Sequence, residues 1–377
     1  MQKPLISSLP SFRAFQSWRQ TIGAGASIGD ALTAGDDLRE HGDAGRRAWL
    51  RQAVSLGAAA ASASLSVPAW AVSTASGAGQ VSDAALRNVT LRVGDQTGAT
   101  RGLFEAAGLL KDVPFKIEWS VFPTAAALHE ALKANATDIG SANDSPTVTA
   151  IVGGSPVQVV AAWQRTHSTD TALLTRPNSG IASLQGLRGK TISPTTRGSV
   201  GHFLVVGLLQ QAGIPLSDVK LAFLAPTDAS AAFASGGIDA WSTWGIFRAR
   251  TVGVLHAQTL DDGARINSGL SLLSAHPEAL KDPAKVAAIA HFARLQDRAL
   301  AWGRGNRAGY IDWFKRFSKQ DDQVAAGTYN DAVGYQRQPI GDGVRQRVDA
   351  TYKTWISAGL LQPGVDLAAH LYHGITA

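Results

Sequence analysis

The chain has no cysteine, and its single methionine is Met1. The first absence excludes disulfides, Cys-ligated zinc, thiol nucleophiles and the lipid-bearing cysteine that tethers some exported proteins. The second leaves no readily oxidised sulfur beyond the initiator. Charge is sparse, at 17% of 377 residues, and the net +6 is scattered without a block of like sign. Nucleic acid is therefore not an expected partner. The nine histidines form no His-Glu-x-x-His pattern, and no Ser-His-Asp order accompanies a nucleophile elbow. No metal, no cofactor and no catalytic residue are expected. What is present is a chain that is 45% hydrophobic and long enough for two domains or one large one.

The segment Gly45-Arg46-Arg47-Ala48-Trp49-Leu50-Arg51 resembles the twin-arginine export consensus. A weakly apolar Ala/Ser/Leu stretch follows, from about 53 to 67, too short to cross a bilayer. Pro68-Ala69-Trp70-Ala71 then gives a small-x-small cleavage pattern. We expect residues 1–71 to be a signal, cleaved after Ala71, and 72–85 to be a linker. A general secretory signal is the other reading of the same arginines. Either implies a periplasmic protein that is not a lipoprotein.

From Leu86 the pattern alternates between strand and helix. Strands are predicted at 89–93, 115–122, 138–141 and 157–163, with helices at 101–110, 124–135 and 147–153 between them. Thr124 is a predicted N-cap, as is Asp144 or Ser145. This rhythm predicts a mostly parallel sheet flanked by helices. A second unit begins near Arg176, with strands at 191–192, 219–224 and 238–244 and helices at 202–212 and 227–235. The last third is mainly helical, at 283–302, 308–317, 321–329 and 342–358. Two segments echo one another: Asn135-Ala136-Thr137-Asp138-Ile139-Gly140 and Gly236-Gly237-Ile238-Asp239-Ala240-Trp241. Each is a helix stop, an Asp and a strand.

Three turns rich in Gly, Ser, Thr and Asn each lead from a strand into a helix, near 94–100, 140–146 and 193–202. A helix start presents unpaired N–H groups and the positive end of its dipole, so small residues there let an anion approach. If the turns converge, they form a pocket for a small oxyanion.

The order of Gly94-x-Gln96-x-Gly98, Phe122-Pro123, Asp138-Ile139-Gly140-Ser141-x-x-Asp144-x-Pro146, Asp170 and Leu187-Arg188-Gly189-Lys190 resembles the substrate-binding proteins of ABC importers for aliphatic sulfonates, taurine and nitrate. Gly198-Ser199-x-x-His202, Ser235-Gly236-x-Ile238-Asp239-Ala240-Trp241 and Trp244 extend the resemblance over about 86–360. It implies a two-lobed Venus-flytrap fold of type II, with α/β lobes at 86–173 plus 268–377 and at 174–267. It also implies a monomer that carries a sulfonate-like anion, unaltered, to an inner-membrane permease. Carried over residue by residue, Gln96 and Gly98 fall on the first anion loop, Ser141 and Asp144 on the second, and Gly198, Ser199 and His202 on the third. Trp241 and Trp244 fall on the aromatic strand end. Asn143 stands where the family often has Gly, and Gly245-Ile246-Phe247 replaces a common Asp-Pro-aromatic sequence.

The residues keep two readings. Ser141, Thr195, Thr196 and Ser199 serve equally as anion donors or as helix caps, with Thr196 preferred over Thr195 because it lies nearer the Gly198 turn. Arg101 pairs either with the anion or with a surface carboxylate, and Arg197 carries the same ambiguity. His202 is a ligand contact or a packed ring, and Asp144 suits a cap better than an anion. Trp241 and Trp244 cannot face the same side of a regular strand; Trp244 is the choice for the pocket. Trp163 is a further candidate. Enzymes of the same fold, desulfinase-like or thiamine-pyrimidine-synthase-like, are the rival class, and their Cys chemistry is unavailable here.

Overall fold

The computed structural model describes residues 81–166 and 171–375. The export signal, its cleavage point, most of the linker and Asp170 lie outside the described residues. The first part of the chain runs α1 (Asp83–Leu86), β1 (Thr90–Gln96), α2 (Ala99–Ala106), β2 (Lys116–Phe122), α3 (Ala125–Lys133), β3 (Ile139–Asn143), α4 (Asp144–Val152) and β4 (Gln158–Arg165). The middle runs β5 (Thr171–Thr175), β6 (Thr191–Ser193), α5 (Val200–Gln211), β7 (Lys220–Leu221), α6 (Pro226–Ser235), β8 (Ala240–Trp244), α7 (Gly245–Leu255) and β9 (Gln258–Asp261). The chain closes with β10 (Leu270–Ala275), α8 (Pro283–Gly305), α9 (Arg307–Ser318), α10 (Asp322–Val333), β11 (Tyr335–Gln338) and α11 (Asp342–Ser357).

These strands form two sheets, in the orders β11-β4-β10-β3-β1-β2 and β7-β6-β8-β5-β9. Both are mixed. The βα alternation makes β1, β2 and β3 mutually parallel, and likewise β6, β7 and β8. Into each sheet one strand is inserted antiparallel to both neighbours: β10 between β3 and β4, and β5 between β8 and β9. Neither inserted strand stands out in the sequence. Both are short and almost wholly buried, so they lack the alternation that marks a half-exposed strand.

Local chemistry explains the echo. Asp138 is buried at the start of β3, and its carboxylate accepts from the backbone N–H of Arg92 at 2.8 Å, from the Arg92 guanidinium and from Lys285. Asp239 accepts from the backbone N–H of Thr191 at 2.9 Å at the equivalent place in the other sheet. Each Asp pins the entry of one strand to its neighbour. The hydrogen bonds to Asp138 outweigh the cost of its burial and hold the carboxyl below its usual range. Gly94 and Gly140 lie side by side in sheet 1 beneath Leu128 of α3, where a Cβ on either would collide with that leucine. Close seating of α3 is what brings its N-terminus to the sheet edge.

Core side chains cover both faces of each sheet. On sheet 1, one face packs Phe104, Trp163, Phe292 and Trp313, and the other packs Leu128, Val148 and Leu272. The second of these cores also takes in Phe203 of α5 and Trp355 of α11. Helix α11 thus touches both layers: Thr351 donates to Asp144 of α4 at 2.5 Å, and Trp355 stacks 5.5 Å from Phe203. A fully buried tryptophan of this size contributes roughly 3 kcal/mol. Among the described residues, no helix is long and apolar enough to cross a membrane.

Candidate functional site

A cavity of about 190 Å3 opens where the C-terminal edges of the two sheets face each other. One wall carries Gln96 at the end of β1, Thr124, Ala125, Ala126 and His129 around the start of α3, and Asn143 and Thr149 of the β3–α4 junction. The other carries Thr196, Arg197, Ser199 and Val200 before and into α5, with Trp244 at the end of β8. Three helix N-termini therefore converge. Thr124 caps α3 in an extended conformation and accepts from the N–H of Ala127 at 3.2 Å. Asn143 precedes α4 without a side-chain capping bond. Ser199 caps α5 and accepts from the N–H of His202 at 3.2 Å. The first-turn N–H groups of Ala125, Ala126 and Val200 have no intrahelical acceptor.

The formal charges in the lining are Arg197 and Glu130. Arg197 lays its guanidinium 4.0 Å over the Phe223 ring. His129 is buried, and burial lowers its pKa to about 4. Burial, with the nearby Arg197 charge, lowers His202 to about 4 as well. Both imidazoles are neutral at pH 7. The site offers hydroxyls, amides and helix dipoles, with one guanidinium and one carboxylate beside them. That is a donor set for an anion whose charge is carried by several oxygens.

The sequence-predicted residues divide. Gln96, Asn143, Thr196, Ser199 and Trp244 line the cavity together. Gly98 and Arg101 do not, which corrects the reading of the first turn. The start of α2 is already filled by the chain's own carboxylate: Asp95, 2% exposed, accepts from the N–H groups of Thr100 at 3.2 Å and Arg101 at 2.9 Å. An external anion is repelled there and finds those donors used. The Arg101 side chain points outward and pairs with Glu105 at 2.7 Å. Gly98 is the N-cap in the left-handed region, at φ 79°.

In the second turn, Ser141 passes its carbonyl to the Gln96 amide at 2.7 Å and lines a different cavity. Asp144 is not the cap of α4; it is the first helical residue, buried under Thr351, and burial raises its pKa. Ser145 is not the cap either. Its hydroxyl crosses the cleft to donate to the Gly198 carbonyl at 3.1 Å. In the third turn, Gly198 adopts φ 72° and gives its N–H to His202 Nδ1 at 3.1 Å. His202 is a packed ring, 4.9 Å from both Phe223 and Trp355. Thr195 is wholly buried, donates to the Ser242 carbonyl and accepts from Trp241 Nε1. Trp241 is core, and Trp163 donates to Asp297 at 2.6 Å away from this cavity.

Thr124, His129 and Thr149 escaped sequence reading as site residues. The signal for Thr124 was present: Pro123-Thr124 announces a helix start of the same kind as the other turns. It follows a strand without glycine, and so was read only as a cap.

The NMT1/THI5-like family profile matches residues 95–278. A relative from Escherichia coli (strain K12), described as a "putative aliphatic sulfonates-binding protein", is 30% identical over 203 residues, 53% of this chain and 63% of that relative. The match thus spans less than two thirds of that relative's length. Among solved structures, the periplasmic aliphatic sulphonate binding protein SsuA of Escherichia coli superposes with a TM-score of 0.66 at 26% identity, covering 75% of this chain and 92% of that one. SsuA of Xanthomonas axonopodis pv. citri, an alkanesulfonate-binding protein bound to MOPS, gives 0.65 at 25% identity, covering 75% and 98%. Both share the type II periplasmic binding fold seen here. Over residues 95–278 the chain is thus similar to the NMT1/THI5-like family, and in fold it is similar to the solved aliphatic sulfonate binders.

Proposed function

We propose that this protein binds an organic sulfonate in the cleft between its two sheets and serves an ABC importer as its exported solute-binding component. One observation carries the reading: the N-termini of α3, α4 and α5, drawn from both sheets, meet at a single cavity beside Trp244. A sulfonate spreads one negative charge over three oxygens. Fixed N–H dipoles and hydroxyls satisfy it without a buried countercharge. In this reading Gln96, Thr124, Asn143, Thr196 and Ser199 supply donors, and Trp244 covers the carbon next to sulfur.

The two walls also touch. Ser145 donates to the Gly198 carbonyl, and Arg248 of α7 pairs with Asp331 of α10 at 2.9 Å. Ligand that bridges the walls would add to these contacts and favour the closed form, because only that form satisfies the anion from both sides. A closed, loaded monomer in the periplasm is then the species offered to a membrane permease. Bound solute leaves unaltered; the thiol route to a desulfinase is closed to a chain with no cysteine.

The test is calorimetry and thermal shift of the purified protein against methanesulfonate, taurine, nitrate and sulfate, with mass spectrometry of the recovered ligand. A saturable, stabilising response to a sulfonate that is recovered intact is the expected result. Silence across the panel sinks the ligand class, and a chemically altered ligand sinks the carrier role.

A further inference from the structure

A second cavity, of about 240 Å3, lies on the opposite face of sheet 1 under α2, α8, α9 and α10. Five aromatic rings line it: Trp163, Tyr310, Trp313, Phe314 and Tyr335. Their positions are fixed from behind and beside. Trp163 donates to Asp297 and carries the Arg337 guanidinium 4.9 Å from its ring centre. Tyr335 carries Arg165 at 4.4 Å, and Tyr310 stacks on Phe314 at 6.0 Å. The wall is therefore preformed, and a guest does not have to order it.

Such a space is ill-suited to being mere core. It opens to solvent, so a guest can enter it without breaking the core. Its rim is also polar, with the hydroxyl residues Thr100, Ser141 and Ser271 beside the rings. An apolar cavity of about 150 Å3 already holds a benzene ring. One hydrogen bond joins the two linings: Gln96 lines the first cavity, Ser141 lines the second, and the Gln96 amide donates to the Ser141 carbonyl at 2.7 Å.

We infer that the second cavity is the subsite for the organic part of the ligand and selects an arylsulfonate over a short alkanesulfonate. The inference rests on the cleft reading above, with the sulfonate head at the helix N-termini. The ring passes Gln96 and enters the aromatic cavity, where it meets ring edges and faces at distances that favour tilted stacking. Gln96 thereby acts at the boundary, turning its amide from Ser141 toward the ligand.

The experiment is calorimetric titration of the full protein with methanesulfonate, benzenesulfonate and 2-naphthalenesulfonate. We expect the aryl compounds to bind at least about tenfold more tightly than methanesulfonate. Ala332→Phe narrows the second cavity from α10 and Ala99→Leu narrows it from α2. Each is expected to remove the aryl preference and leave methanesulfonate affinity unchanged; two variants on different helices guard against one that misfolds, with circular dichroism as the check. Equal affinity for methyl and aryl ligands overturns the subsite while leaving the cleft intact. So does an equal loss of both ligands in a folded variant. Absence of binding to every sulfonate overturns the cleft reading and, with it, this one.

Discussion

The turn after β1 and the turn after β6 look alike in composition, and the structure puts them to opposite uses. Each leads into a helix through glycine and hydroxyl residues. At the first, the helix start is capped by the buried Asp95 carboxylate, which takes the N–H groups of Thr100 and Arg101. At the third, it is capped by the Ser199 hydroxyl, a neutral group that takes one N–H and lines the cleft. Both helices are equally well started. Only the second remains attractive to an anion, because its cap brings no charge. The sign of the cap, more than the presence of a turn, separates a structural helix start from a binding one.

The comparison breaks most sharply if the third turn is made like the first. Ser199→Asp keeps a capping group but sets a carboxylate beside the cleft. We expect sulfonate affinity to fall by about a hundredfold or more, with little change in melting temperature, read by calorimetry and thermal denaturation. Next in size is the response to pH, which separates the turns by sign. His202 beside the third turn, and His129 beneath α3, are lowered by burial to about 4 in the folded state, against 6.5 for a free imidazole. Above 6.5 both states are neutral; between 6.5 and 4 the unfolded chain takes up protons that the folded one refuses. Stability is thus lost across that window, on the order of 2–3 kcal/mol per ring. Asp95 works the other way: burial raises its folded pKa, so its protonation at the acid end favours the fold. Urea titrations at several pH values check the net fall.

Asp95→Ala removes the first cap and should cost about 1–2 kcal/mol in denaturant unfolding. Sulfonate binding should survive, since that turn lies outside the cleft. Ser199→Ala and Gln96→Ala sit on different sheets, yet in the proposed cleft, where both walls hold the anion, each should weaken binding about tenfold. The smallest expected effect is Arg248→Ala. Loss of the Arg248–Asp331 pair across the walls should lower affinity about threefold through easier opening, with more effect in low salt than in high.

Much of the fold could be read before any coordinates. The helix stop expected at Gly236 adopts positive φ, as do Gly108 and Gly213 at the ends of two other predicted helices. The alternation that predicts β2 comes from a strand with distinct faces, whereas β4 reads as a buried apolar run between turn signals. The strands β5, β9, β10 and β11, and helix α7, escaped. Two of those strands are buried on both sides, and the other two are four-residue edges with little pattern. The site was half legible for a related reason. Chemistry marks which turns suit an anion, but side-chain parity decides which face each residue meets. Asp95 and Gln96 are neighbours on β1; one turns under α2 and the other into the cleft. Ser141, two residues before Asn143, ends in a separate cavity. Nothing in composition separates those destinations.

Gly198 stands at a contact between the two walls, where its carbonyl accepts from Ser145. A Cβ there would lie 2.8 Å from the Thr149 hydroxyl, and the backbone at φ 72° already disfavours any side chain. If the walls close on a ligand as proposed, the hydrogen atom in that position sets how near they can come. A methyl group would act as a shim, holding the gap a few tenths of an ångström too wide on every closure. Donors on one wall would then fall short of an oxygen held by the other. In the proposed cleft, that tolerance would rest on one missing carbon.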